Sequence, residues 1–264
     1  MVWKLKLGTL LILAVWPLFL NHQGAAPSIA AIDTSSNGGS SEARPNIVLI
    51  ISDDQRWSDY GFMDHPFIET PNLDRLARQS ALFRHGYVPT ALCRASLMTL
   101  ITGRYAFEHH TCGNDPLASK SDGPSVRERK QKVIDNLDRF ESIPKVLGRL
   151  GYLSHQSGKW WDGHFSHGGF THGMTLGLGN TPRGRHGDLG LTIGRKGMRP
   201  IEDFLDETIA KKKNFFLWYA PFLPPTPHNP PQRLLDRYAE TELPMPIKKN
   251  TRQCVPGLMN LAAI

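Results

Sequence analysis

Residues 46–54, Asn46-Ile47-Val48-Leu49-Ile50-Ile51-Ser52-Asp53-Asp54, set the reading of this chain. A short unbroken apolar run rich in β-branched residues fits a strand buried in a parallel sheet, and it ends abruptly in polar residues. Working outward, Pro71 opens a helical pattern to Ser80 with Leu73, Leu76 and Ala77 on one face. Residues 81–87 read as a second strand. Residues 95–102 read as a helix stopped by Gly103, and 107–142 as a polar, irregular surface excursion. A helix from Pro144, a strand over 151–156, a glycine-rich loop over 163–197, a helix over 200–212 and a strand over 215–219 follow. The 200–212 helix directs Ile201, Phe204, Leu205 and Ile209 inward. A proline-rich loop runs from there to Pro231, and no internal repeat is present. Alternating strands and helices predict an α/β fold with a mainly parallel sheet flanked by helices. Ligands in such sheets bind beyond the carboxyl ends of the strands. Three strand ends, at Asp53-Asp54, Gly158-Lys159 and Pro221 to His228, are expected to converge there.

The chain has 264 residues, 40% of them hydrophobic and 21% charged, which is ordinary globular composition. Formal net charge is +7, with Lys211-Lys212-Lys213 and Lys248-Lys249 holding much of the excess. Those runs read either as solvated helix ends or as attraction for a polyanionic substrate. No nucleic-acid motif accompanies them. Lys4 and Lys6 precede an apolar run over 7–20, and small residues follow. This is the pattern of a signal peptide, and the run is short for a membrane span. Residues 1–31 are expected to direct export to the periplasm or beyond, with no stable membrane span. Residues 32–44 are expected to form a flexible linker. Cys93, Cys112 and Cys254 make neither a disulfide framework nor a zinc spacing.

Asp53 and Asp54 suit a hard divalent cation, which takes several oxygen ligands; a helix cap or solvated turn is the plainer reading. Cys93 stands just ahead of a helix, where the dipole favours thiolates and anions; a buried filler is the plainer reading there.

The stretch Cys93-Arg94-Ala95-Ser96-Leu97, with Thr102-Gly103-Arg104 beyond it, resembles the signature of the type I, formylglycine-dependent sulfatases of the alkaline phosphatase superfamily. That signature is Cys-x-Pro/Ala-Ser-Arg, four residues, then Thr-Gly. Three further blocks fall in the same order: the opening from Pro45 to Asp54, Thr70-Pro71-Asn72-Leu73-Asp74-Arg75-Leu76-Ala77, and Ser157-Gly158-Lys159-Trp160. Phe215 to Pro221 resembles the strand that leads to a catalytic histidine. The resemblance covers 45–253 and implies an incomplete N-terminal catalytic domain of that fold. It implies that a formylglycine-generating or equivalent maturing enzyme oxidises Cys93 to formylglycine, whose hydrate attacks the sulfur of a sulfate ester. Asp53, Asp54 and residue 93 would bind Ca2+. Lys159 would add charge at the sulfate. A histidine would take a proton from the second hydroxyl. His228 is the catalytic candidate or a substrate contact, with an ordinary loop histidine as its plainer reading. Arg94, Arg104 and His164 are the candidates for substrate contact. A sulfated carbohydrate or small sulfate ester is the implied substrate.

The chain also departs from the pattern. Leu97 stands where the signature has arginine, Trp161 where a histidine is usual, and Pro225 where the strand-end histidine is usual. Residues 254–264 do not resemble the family's continuation and are expected to be a truncated or shifted end. A catalytically silent anion-binding fragment and a phosphate or phosphonate ester hydrolase are the alternative functions.

Overall fold

The computed structural model describes residues 44–88, 90–115, 124–177, 187–225 and 230–239. The expected signal peptide, nearly all of the linker, the 254–264 tail and His228 lie outside them. Four parallel strands form one sheet in the order β1-β4-β2-β3: β1 (Ile47–Ile50), β2 (Leu153–Gly158), β3 (His172–Gly173) and β4 (Phe215–Ala220). The expected parallel α/β architecture is therefore what the chain forms. β4 is central and uniformly apolar, so its alternating side chains supply two cores. Phe216, Trp218 and Ala220 join Leu97, Met98 and Ile101 of α2 (Cys93–Thr102), together with Trp160, Trp161 and Phe170. Leu217 and Tyr219 point the other way and pack with Ile193 and with Ile201 of α6 (Arg199–Ala210). Period-two alternation in one strand thus fixes helices on both faces. No helix among the described residues is long and apolar enough to cross a membrane.

Several local expectations need correction. Residues 81–88 form no strand; they are irregular, and Phe83 and Tyr87 are exposed. Apolar, strand-forming residues adopt a strand only where a ladder partner exists. The 107–142 excursion holds helices: α3 (Ala106–His109), α4 (Val126–Ile134) and a 3-10 turn over Asp135–Arg139. α4 opens with a capping box, in which Glu128 N–H donates to Ser125 Oγ and Ser125 N–H donates to the Glu128 carboxylate. The long loop contains β3 and 3-10 turns over Phe165–Gly168 and Asp188–Thr192. On α6, Ile201 and Phe204 are buried as expected, but Ile209 is exposed and Thr208 is buried in its place. A 3.6-residue repeat from Ile201 arrives at 208, leaving 209 about 100° off the face. α1 (Pro71–Gln79) buries none of Leu73, Leu76 and Ala77, which instead line an open groove of about 760 Å³ with Trp57, Phe83 and Tyr87. α5 (Ile143–Arg149) precedes β2, and α7 (Gln232–Arg237) follows the proline-rich loop.

Candidate active site

The carboxyl ends of β1, β2 and β4 and the N-terminus of α2 meet at one edge of the sheet. Backbone bonds hold the three chain segments together: Ile51 N–H donates to Tyr219 O (2.9 Å), Asp53 N–H to Leu223 O (2.8 Å) and Lys159 N–H to Ala220 O (2.7 Å). Gly158 ends β2 at φ 86°, and a Cβ there would lie 1.9 Å from Ala220 O. Only glycine allows both that dihedral and that approach, and the bend delivers Lys159 to the edge. After β1 the backbone leaves the extended region as well, with Asp54 at φ 51°. Two adjacent carboxylates, which a regular strand would point apart, therefore face the same place.

Asp53, Asp54 and Cys93 each present a ligand atom within 4.8 Å of the others. Asp53 is buried, and its Oδ1 accepts both the Lys159 ammonium, as an ion pair, and the Cys93 thiol at 3.7 Å. Asp53 Oδ2 is buried without a hydrogen-bond partner among the described residues. Burial raises the Asp53 carboxyl above the usual carboxylate range; Lys159 opposes that rise and the neighbouring Asp54 adds to it. An orphaned carboxylate oxygen beside a second carboxylate fits a hard cation that takes oxygen ligands. Lys159 is buried too, with its Nζ 5.0 Å from the ring centre of Trp161 and 5.2 Å from that of Phe222. Such ring faces favour a cation while keeping water away.

Arg94, next in sequence to Cys93, turns into the protein. Its Nη2 and Nε donate to one oxygen of Asp162 at 2.6 and 3.2 Å, and both side chains are 3% exposed. Burial raises the Asp162 carboxyl, and Arg94 is the strongest influence opposing it. The Arg94 backbone N–H donates to Asn114 Oδ1 at 2.9 Å, pairing one of the free amides of the first turn of α2. Arg104 is exposed and pairs with Glu108 at 3.4 Å. His164 is exposed, and its Nδ1 accepts the Ser166 N–H at 3.2 Å, capping the turn that follows. Leu97, in the arginine's place, is buried in the larger core, and Trp161, in the histidine's place, lies under Lys159. Of the residues singled out from sequence, the structure thus groups Asp53, Asp54, Cys93 and Lys159. It gives Arg94, Arg104 and His164 other partners.

Sequence reading missed Asp162 and Phe222 altogether, and took Trp161 only as a missing histidine. It also passed over Arg195, whose Nη2 donates to Phe222 O (2.6 Å) and Pro225 O (2.7 Å) and holds the loop after β4. The tryptophan was visible as a departure from the pattern. The other three stand in no motif.

The parallel α/β sheet with helices on both faces, carrying these side chains at its carboxyl edge, fits an alkaline-phosphatase-like α/β fold. The family model described as Sulfatase matches residues 45–258, and the chain belongs to that family, as its N-terminal part. It is 35% identical to human N-acetylgalactosamine-6-sulfatase over 121 residues, which cover 46% of this chain and 22% of the relative. It is 35% identical to human arylsulfatase A over 126 residues, 48% of this chain and 22% of that protein. The crystal structure of Ps i-CgsB superposes with TM-score 0.63 at 23% identity, covering 84% of this chain and 53% of its own. The structure of BT4656 in complex with its substrate D-glucosamine-2-N,6-O-disulfate gives TM-score 0.53 at 24% identity over 77% of this chain and 39% of its own. The chain thus matches about a fifth of the length of these curated relatives and about half or less of the solved ones.

Proposed function

We propose that this chain carries the N-terminal part of the catalytic centre of a sulfuric ester hydrolase acting on a sulfated carbohydrate or a small sulfate ester. The observation that carries the reading is the convergence of Asp53, Asp54, Cys93 and Lys159, from three separate blocks, at the sheet edge. The substrate class is supported by relatives named for sulfated sugar and aryl sulfate hydrolysis. The net reaction is sulfate ester plus water to alcohol plus sulfate.

Oxidised to formylglycine by a maturing enzyme, residue 93 would supply the oxygen nucleophile that the thiol is not. Asp53, Asp54 and the side chain of residue 93 would hold Ca2+, which when bound draws charge from sulfate oxygens. Other side chains of this chain would contribute directly. Residue 93 opens α2, so an anion approaching it meets the positive end of the helix dipole. Lys159 brings a buried positive charge to the sulfate oxygens, where charge grows as the ester bond breaks. Trp161 and Phe222 keep its surroundings dry, which strengthens that attraction. The Arg94–Asp162 pair ties the start of α2 to the Lys159 loop and so holds nucleophile and lysine in register. His228, beyond β4, is proposed to carry a proton, and Arg104 and His164 to meet the substrate outside the cluster. Residues 1–31 are proposed to export the protein.

The test is to co-express the full chain with a formylglycine-generating enzyme and weigh the peptide containing residue 93, then assay an aryl sulfate and an aryl phosphate. The expected result is conversion at residue 93 and hydrolysis of the sulfate, abolished in Cys93→Ala. An unmodified thiol with no sulfate hydrolysis would leave an anion-binding fragment. Turnover of the phosphate alone would identify a phosphohydrolase.

A further inference from the structure

Asp53 pairs with Lys159 through the same carboxylate that would help hold a divalent cation. The Lys159 ammonium sits on Oδ1, and the atoms that would bind a divalent cation, on Asp53, Asp54 and Cys93, lie within 4.8 Å of one another. A cation there would rest against the same carboxylate as Lys159, and like charges at that spacing repel strongly in a buried setting. Lys159 has little to retreat to: it is 4% exposed, and aromatic rings stand over its Nζ at 5.0 and 5.2 Å. A carboxylate that must satisfy both partners binds each less tightly than it would bind one. A sulfate group, singly negative as an ester and doubly negative as the free ion, offers oxygens to the ammonium and to the metal at once, and removes the conflict.

We infer that Lys159 and a divalent cation compete for Asp53, and that a sulfate group bridging them converts this competition into mutual reinforcement. The inference rests on the proposed function, since it takes the cluster as a cation site. Linkage makes the effect reciprocal: whatever factor sulfate adds to cation affinity, the cation adds to sulfate affinity. Cation and substrate then assemble the site together, and neither alone holds it fully formed. A lysine that only neutralised a buried aspartate would stabilise the fold and show no such linkage.

The experiment is a calorimetric calcium titration of the full chain, with and without inorganic sulfate at matched ionic strength, for the unsubstituted protein, Lys159→Gln and Lys159→Arg. Sulfate is expected to tighten calcium binding to the unsubstituted protein by about tenfold, in the usual range of coupling between sites. Lys159→Gln is expected to bind calcium about tenfold tighter without sulfate and to lose the sulfate effect. Lys159→Arg, which keeps the charge, is expected to stay near the unsubstituted value. Equal or weaker calcium binding by a folded Lys159→Gln overturns the inference, as does calcium uptake by neither protein. If Lys159→Gln does not fold, the sulfate dependence of the unsubstituted protein decides alone, and its absence overturns the inference. A chain that is oxidised at residue 93 and hydrolyses sulfate esters, yet shows no competition, refutes this coupling and leaves the sulfatase reading standing.

Discussion

β1 and β2 invert the usual relation between hydropathy and burial. β1 reads Ile-Val-Leu-Ile, yet Val48 is 53% and Ile50 46% exposed. β2 reads Leu-Ser-His-Gln-Ser-Gly, yet every residue after Leu153 is buried. Position in the sheet explains the inversion. Among the described residues β1 pairs with β4 on one side only, whereas β2 is flanked by β4 and β3 and covered on its faces. Polar residues survive in β2 because nearly all of them are satisfied. Ser154 Oγ accepts the Thr171 N–H at 3.1 Å, Gln156 Nε2 donates to Gly158 O at 3.1 Å, and Ser157 Oγ donates to Trp218 O at 3.0 Å. The lesson is that a buried strand needs partners for its polar groups more than it needs apolar side chains.

Three perturbations would break or sharpen this contrast. Gln156 is fully buried and bonds twice, since its Oε1 also accepts the Thr175 N–H at 3.1 Å. Gln156→Ala should therefore cost roughly 3–5 kcal/mol by urea unfolding, because it orphans two backbone groups and opens a cavity.

His155 is the exception in β2, with a buried Nδ1 that has no hydrogen-bond partner among the described residues, beside the Phe204 ring and opposite His172, which pairs with Glu207. Burial, helped by His172, pushes its pKa from 6.5 down to about 4. The unfolded chain takes up a proton that the folded protein refuses. The stabilisation is thus complete above pH 6.5 and is lost as pH falls from there toward 4, by roughly 3 kcal/mol. Unfolding free energies across that interval should fall less steeply for His155→Gln than for the unsubstituted protein. Identical slopes would refute the assignment. Burial lowers His109 as well, so the difference between the two proteins is the informative quantity.

On β1 the same logic predicts almost nothing. Val48→Thr should change unfolding free energy by no more than about 0.5 kcal/mol, despite placing a hydroxyl in the most apolar strand. A loss above about 2 kcal/mol would show that another surface covers this edge.

Much of the site was legible because it is written locally. Asp53-Asp54 ends an apolar run, Gly158-Lys159 ends a strand, and Cys93 opens a helix, so each signal lies within a few residues. What stayed hidden joins distant parts of the chain. Arg94 meets Asp162 across 68 positions; the strand ends that carry Asp53 and Lys159 are expected from sequence to meet, but their ion pair, which spans 106, is not. Arg94 looked free to meet a substrate because nothing near it in sequence announces a carboxylate partner. The same limit applies to the fold. Among the described residues, 81–87 have no neighbour to pair with despite a strand-like composition, and the apolar face of α1 is left open.

By itself, then, the sequence determined the parallel α/β class, the strands β1, β2 and β4 and the helices α1, α2, α5 and α6, and the four residues that gather at the sheet edge. Those are consequences of periodicity and of short motifs, which act over one or two turns of chain. Only the tertiary structure decided that the polar strand lies inside and the apolar one at the rim. It alone turned Arg94 inward, put Leu97 in the core and set Trp161 and Phe222 around Lys159. Burial and charge pairing depend on what arrives from elsewhere in the chain.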